Sequence, residues 1–257
     1  LIIGLGCEDK YHNVPGAEEY THSIQTLSKA RDTFHSISEL PEGAKVGIVG
    51  AGLSGIELAS ELRESRSDLE IYLYDRGPRI LRNFPEKLSK YVAKWFAKNN
   101  VTVVPNSNIN KVEPGKIYNC DEPKDIDLVV WTAGIQPVEV VRNLPIDINS
   151  NGRVIVNQYH QVPTYRNVYV VGDCADLPHA PSAQLAEVQG DQIADVLKKQ
   201  WLNEPLPDKM PELKVQGIVG SLGDKQGFAY IMDRTVTGRL ASILKSGVLW
   251  LYKYHNG

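Results

Sequence analysis

Between Lys45 and Leu62 the chain switches from strand to helical periodicity across a single glycine-rich turn, and this switch limits what it can fold into. Lys45-Val46-Gly47-Ile48-Val49 is a short apolar run suited to a buried strand. Gly50-Ala51-Gly52-Leu53-Ser54-Gly55 follows at once, and Leu53, Ile56, Ala59 and Leu62 then recur at helical spacing. A glycine turn that ends a strand and opens a helix is the context that makes Gly-x-Gly-x-x-Gly informative.

That spacing has a chemical reading. The first glycine permits the tight turn, the second lets the backbone approach a pyrophosphate, and the third lets helix and strand pack closely. The helix N-terminus then offers amide donors and the positive end of its dipole to the phosphates. Gly50, Gly52, Leu53, Ser54 and Gly55 are therefore expected to hold a dinucleotide. Asp75 closes the next strand, Leu69–Tyr74, 20 residues beyond Gly55. An acid there accepts both ribose hydroxyls of NADH and repels a 2′-phosphate. Arg76 beside it works the other way, because an arginine accommodates that phosphate.

The alternation continues on both sides. A helix is predicted from about Ser23 to Ser36, and Leu88, Tyr91, Val92, Trp95 and Phe96 fit one face of another. Strands are predicted near Val101–Val104, Ile109–Val112 and Ile126–Trp131. This order implies an α/β fold, a Rossmann-like doubly wound domain with a mainly parallel sheet. After about Pro137 the character changes. Val154–Val156 and Val168–Val171 read as strands, Ser182 to about Trp201 as a long helix, and Pro205, Pro207 and Pro211 as a break. A strand near Val215–Gly220, a hairpin around Tyr230 and an amphipathic stretch from about Arg239 follow. The chain opens on Leu1-Ile2-Ile3-Gly4-Leu5-Gly6, an apolar strand running into a glycine turn, which leads us to expect further chain upstream.

Composition removes several classes of function. With 28 Lys and Arg against 31 Asp and Glu, the net charge of −3 argues against a whole-chain nucleic-acid footprint. No apolar run reaches the roughly 20 residues that span a bilayer. Cys7, Cys120 and Cys174 are far apart and form no Cys-x-x-Cys. That argues against a dithiol centre or a zinc knuckle and suits a reducing cytoplasm. The six histidines are scattered, and no pair has ligand spacing, so no metal site is expected.

Four further runs accompany the glycine motif: Ile56-Glu57-Leu58-Ala59, Pro78-Arg79-Ile80-Leu81, Trp131-Thr132-Ala133-Gly134 and Val171-Gly172-Asp173. In this order they resemble the two-dinucleotide flavoproteins of the pyridine nucleotide-disulfide oxidoreductase kind. Ala183-Gln184 brings the resemblance to the type II NADH dehydrogenases, the single-chain NADH:quinone oxidoreductases. It covers about residues 1–200 and is loose over the tail.

The resemblance implies a layout. An NAD-binding domain at 41–137 is inserted in a partial FAD-binding domain made of 1–40, with its linker, and 138–210. A small α+β C-terminal segment at 211–257 follows, which would contact a second copy or a membrane surface. It also implies roles. Gly4 and Gly6 lie where the chain leaves the FAD domain. Gly172 and Asp173 meet the flavin, with Asp173 bonded to its ribityl chain. Ala183 and its helix lie near the isoalloxazine ring, and Thr132, Ala133 and Gly134 lie near the nicotinamide. Glu57 belongs to the proton side of quinone reduction. Gln184 positions the quinone head group, and Glu187 and Gln189 follow on the same helix. The implied activity is hydride transfer from NADH to FAD, then two electrons to a quinone or similar acceptor.

In the tail, Leu240, Ile243, Leu244, Val248, Leu249, Leu251 and Tyr252 form an apolar stretch flanked by Arg234, Arg239, Lys245 and Lys253, with Trp250 and Tyr254 as further aromatics. It is too short to cross a bilayer but could lie in the interface, so peripheral attachment on the cytoplasmic face is expected at most. A homodimer contact is the other expectation. Two alternative readings stay open. One is an NADH oxidoreductase of the ferredoxin-reductase or apoptosis-inducing-factor kind. The other is a non-catalytic NAD(H)-binding module that senses redox state or binds a partner.

Overall fold

The computed structural model describes the chain except Gln216 and Gly257, and describes no side chain at 249, 251–253, 255 or 256. The side chains of Leu249, Leu251, Tyr252 and Lys253, singled out above, thus lie outside the described residues. In chain order the elements are β1 (Ile2–Ile3), β2 (Cys7–Asp9), α1 (Ala17–Tyr20), α2 (Leu27–Ser38), β3 (Lys45–Val49), α3 (Leu53–Ser65), β4 (Glu70–Tyr74), α4 (Glu86–Lys98) and β5 (Val101–Val104). Then come β6 (Ile109–Glu113), β7 (Lys116–Asn119), β8 (Glu122–Asp125), β9 (Leu128–Trp131), β10 (Ile135–Pro137), α5 (Glu139–Arg142), β11 (Gln161–Val162) and β12 (Tyr165–Val170). A 3₁₀ turn at Gly172–Cys174, α6 (Ala183–Trp201), β13 (Gly217–Leu222), β14 (Gln226–Ile231), β15 (Arg234–Gly238) and α7 (Arg239–Asn256) follow. They group into two compact units, residues 1–10 with 135–215 and residues 11–134 with 216–257.

The second unit is built on a parallel sheet of order β5-β4-β3-β9. Its strands are apolar along their length because both faces are covered. Val46, Ile48, Ile71, Leu73 and Val130 point to one side, where Ile56, Ala59, Leu88, Val92 and Phe96 of α3 and α4 pack on them. Val49, Tyr74, Val129 and Trp131 point to the other, against Val112 and Ile117. Those two residues belong to an antiparallel sheet, β6-β7-β8. The Rossmann-like α/β arrangement is thus present, with a small sheet on the face where helices were expected. Two-residue turns close its hairpins at Pro114-Gly115, with Gly115 at φ +72°, and at Cys120-Asp121, at φ +51° and +66°.

Residues 11–40, read as FAD domain and linker, fall in this unit. His22 donates its amide to Val129 and accepts from the Trp131 amide, both at 2.8 Å, so it extends the sheet beside β9. Ile37 is buried on the helix-covered side. The helix α2 starts at Leu27, later than expected, because the Thr26 hydroxyl caps it by accepting the Lys29 amide at 3.2 Å. The tail belongs to the same unit: β13, β14 and β15 form an antiparallel sheet whose Leu222 and Phe228 are fully buried in the same core.

In the first unit, β12 pairs with β1 in parallel and with β11 antiparallel, while β2 and β10 form a ribbon. Ile3, Val141, Val162 and Val170 form one core, and α6 seals another with Ile193 and Val196 against Tyr169. Residues 154–156, expected as a strand, make only isolated bridges from Val154 to Ile148 and to Ala175. The apolar run reflects the buried Val154 and the partly buried Val156, and Ile155 between them is exposed. No helix among the described residues is long and apolar enough to cross a membrane.

Phe96 is, with Phe228, the largest fully buried side chain in the second unit's core. Phe96→Ala should cost about 3–5 kcal/mol of unfolding free energy, read from the denaturant midpoint followed by tryptophan fluorescence. A loss below about 1 kcal/mol would mean that the site collapses around the cavity.

Candidate active site

The glycine turn is held by close backbone packing. Gly50 sits at φ +113°, and a Cβ there would lie 2.8 Å from the Thr132 carbonyl and from Ala133 Cα. A Cβ on Gly55 would collide with the Gly50 carbonyl oxygen and come within 2.9 Å of Thr132 Oγ1. The Thr132 hydroxyl reaches the carbonyls of Val49 and Gly50 at 3.0 and 2.9 Å and braces the turn against the end of β9. Gly52 is the N-cap of α3, contributes no side-chain cap, and leaves open space where a Cβ would be. The first helical bond runs from the Ile56 amide to Gly52. The amides of Leu53, Ser54 and Gly55 therefore have no acceptor within the helix, which is what an anion at a helix N-terminus requires.

Beside the turn lies a cavity of about 390 Å³, at the carboxyl ends of β3, β4 and β9. The chain reverses its strand order on the two sides of β3, and such switch points are where open α/β sheets bind ligands. Gly50, Gly52, Asp75, Thr132, Ala133 and Gly134 all line it; Leu53, Ser54 and Gly55 do not. Asp75 is more engaged than its sequence position suggests. One carboxylate oxygen accepts the Ala51 amide at 2.9 Å and the other the Gly77 amide at 2.7 Å. A carboxylate has about four acceptor positions, so capacity for a ribose hydroxyl remains. Burial pushes the Tyr74 phenol up to about 12, so this wall of the cavity stays neutral.

One lining residue, His12, escaped the sequence reading, and Arg79, read only as part of a run, acts from behind the wall. His12 lies at φ +53° with Nε2 3.0 Å from the Ala133 carbonyl oxygen. Arg79 donates to the carbonyls of Leu81, Arg82 and Phe84 at 3.1, 2.8 and 2.9 Å. That explains the Pro78-Arg79-Ile80-Leu81 run: the guanidinium folds the loop that walls the cavity.

Glu57 belongs to a separate polar group in the same unit. Its Oε1 accepts the Ser221 amide at 2.8 Å and the Ser221 hydroxyl at 3.2 Å, and it pairs with Lys245 Nζ. Lys245 also donates to Ser221 Oγ at 3.0 Å. The Glu57 and Lys245 side chains are about one-third exposed, at 31% and 29%. No local signal pointed to Ser221 or Lys245.

The first unit carries the remaining candidates. Asp173 lies in the 3₁₀ turn after β12, and its carboxylate makes no hydrogen bond among the described residues. Burial raises it above the usual carboxylate range, with Arg153 opposing. The Gly172 amide donates to Gln189 Oε1 at 2.8 Å, while Gln189 Nε2 is buried without a partner among the described residues. An open acceptor and an orphaned donor around one turn fit a polyol chain such as the flavin ribityl group. Gly4 packs on Val171, where a Cβ would lie 3.1 Å from Cγ1, and Gly6 takes φ +68°. Ser182 caps α6 by accepting the Leu185 amide at 3.3 Å; Ala183 is exposed and Gln184 half-buried in its first turn. Burial, with Asp173 adding, pushes the Cys7 thiol up to about 12.

Residues 1–190 match the pyridine nucleotide-disulphide oxidoreductase family, and the chain belongs to it. Among curated proteins it is similar to the NADH dehydrogenase-like protein YutJ of Bacillus subtilis, 57% identical over all of this chain and 72% of that protein. It is 28% identical to a probable NADH dehydrogenase of Dictyostelium discoideum, over 88% of this chain and 57% of that protein. It is 23% identical to the type II NADH:quinone oxidoreductase of Staphylococcus saprophyticus, over 95% of this chain and 68% of that one. The chain thus spans between about half and three-quarters of these relatives. Its fold matches the NDH2 of Plasmodium falciparum solved with NADH, at a TM-score of 0.81 and 17% identity, over 97% of this chain and 73% of that one.

Asp173 gives a pH prediction. Its folded-state value lies above the unfolded one, so the folded form binds the proton more tightly. The stability Asp173 contributes is then fully present below the ordinary aspartate range and is lost as pH rises through the folded-state value. Asp173→Asn cannot ionise, so flavin-stripped variant should melt above the parent at neutral pH, with the gap closing as pH falls through the carboxylate range. A gap that does not change with pH would assign the effect to something other than burial of the charge.

Proposed function

We propose that this chain carries the NADH site of a flavin-dependent oxidoreductase that delivers two electrons to a quinone. The observation that carries this reading is the Gly50–Gly55 turn braced by Thr132, with uncapped α3 amides beside a cavity at the sheet's switch point. The pyrophosphate takes those amides, Asp75 accepts a ribose hydroxyl, and Thr132–Gly134 border the nicotinamide end. FAD, when bound, would supply the two-electron chemistry. Asp173 would hold the ribityl hydroxyls. The Cys7 thiol, pushed up to about 12, stays protonated and offers no thiolate for side reactions.

Quinone reduction consumes two electrons and two protons. The hydride from NADH brings both electrons and one hydrogen, and solvent supplies the other proton. We assign that proton's passage to Glu57, whose Oε1 is shared by Ser221 Oγ and Lys245 Nζ, and placement of the quinone head group to Gln184. The type II relatives and the sequence resemblance support the acceptor class.

Anaerobic NADH should bleach the flavin band of the flavin-loaded protein, and a soluble quinone should restore it. Glu57→Gln should slow quinone-driven recovery by about tenfold or more while leaving bleaching within about threefold. No bleaching by NADH would remove the reading. Bleaching reversed by oxygen or ferricyanide but not by quinone would remove the acceptor.

The described part of α7 exposes Leu240, Ile243, Leu244, Val248 and Trp250. This row supports attachment to the membrane interface, where a lipid-soluble quinone resides. The protein should co-sediment with lipid vesicles, and Ile243→Ser with Trp250→Ser should release it; equal sedimentation of parent and variant would locate attachment elsewhere.

A further inference from the structure

The geometry points to a second dinucleotide for the same cavity: one whose adenosine ribose carries a 2′-phosphate, held by Arg76 and Arg82. The inference rests on the reading of the cavity as an NADH site. The charged residues that line it are one carboxylate, Asp75, and two guanidiniums, Arg76 and Arg82. An acid at the end of the second strand ordinarily excludes a 2′-phosphate by repulsion. Here that acid is committed to the protein. Both its oxygens accept backbone amides, from Ala51 and from Gly77, which fixes the carboxylate against the main chain, and the two guanidiniums beside it offset the repulsion its remaining charge exerts on a phosphate.

The guanidiniums are placed and unspent. Arg76 and Arg82 are exposed, and neither makes an ion pair or a side-chain hydrogen bond among the described residues. Arg79, by contrast, is fully used on the carbonyls of Leu81, Arg82 and Phe84, which fixes the loop that carries Arg82. Arg82 Cδ lies 3.3 Å from where a Cβ on Gly77 would stand, so its stem crosses the turn that Asp75 caps and Arg76 enters. Two arginines therefore flank the ribose-binding acid from one side of the cavity. Their planar forks suit a phosphate dianion, and with no partner to give up, neither loses an existing bond when the phosphate arrives.

Binding of NADH and NADPH to the flavin-loaded protein, and of 5′-AMP and adenosine 2′,5′-bisphosphate, tests this by calorimetry. The adenosine probes lack nicotinamide and report the ribose end alone. NADPH should bind within about threefold of NADH or more tightly, and the bisphosphate should bind about tenfold more tightly than 5′-AMP. The double variant Arg76→Gln with Arg82→Gln should raise the ratio of the NADPH to the NADH dissociation constant by at least about fivefold. NADPH binding weaker than that threefold limit, or a ratio that rises less than fivefold in the variant, overturns the proposal while leaving the NADH reading intact. Binding of neither dinucleotide overturns both.

Discussion

The Gly50 turn and the end of β9 approach to the limit that two backbones allow, and the rest of the site depends on that approach. A Cβ on Gly50 would meet the Thr132 carbonyl at 2.8 Å, and the residue is also held at φ +113°. A side chain there faces steric overlap together with backbone strain of about 1–3 kcal/mol. Thr132 converts the close approach into hydrogen bonds: its amide donates to the Val49 carbonyl, and its single hydroxyl hydrogen lies within reach of the Val49 and Gly50 carbonyls. With those carbonyls satisfied from the β9 side, the α3 amides are left as the turn's unspent polar groups. The polarity of the site, donors outward and acceptors inward, follows from this one contact.

Polar side chains around the cavity serve the backbone first. Asp75 ties the glycine turn to the turn after β4, and Arg79 ties three carbonyls of the following loop. Both residues have the chemistry of ligand contacts, and both act here mainly as braces. Such braces fix the cavity walls before a ligand arrives and reduce the ordering cost of binding. They also change what a ligand meets: a carboxylate whose two oxygens already accept backbone amides, and two guanidiniums that make no ion pair or side-chain hydrogen bond among the described residues.

What could be read from the sequence was what is local. The change of period from Val49 to Leu53, the glycine spacing, and the runs that became β3, β4, β5 and β9 are each encoded within about ten residues. The β6-β7-β8 sheet was only half visible, because β8 is exposed along its whole length and shows no alternation. Pro114-Gly115 was the available turn signal. The surroundings of Glu57 could not be read at all. Ser221 and Lys245 lie 164 and 188 positions away and are brought to it only when β13 and α7 pack beside α3. An acid in the first turn of a helix also has an ordinary explanation in the helix dipole, so its sequence context offers no sign of partners.

Over its described side chains, α7 is inverted relative to an ordinary surface helix. Ala241 is fully buried and Lys245, one turn on, is half-buried against Glu57, whereas Ile243, Val248 and Trp250 are exposed. A water-facing helix normally does the opposite, turning its apolar stripe inward and its charges outward. Desolvating an ammonium is costly, and the Glu57 carboxylate and the Ser221 hydroxyl offset that cost. Nothing in the described residues offsets the exposure of the apolar row. Contiguous exposed apolar surface of this kind marks a place where a protein meets something other than water. The inward lysine and the outward isoleucine and tryptophan are then two parts of one arrangement: the charge is drawn to Glu57, and the apolar row is left on the outside.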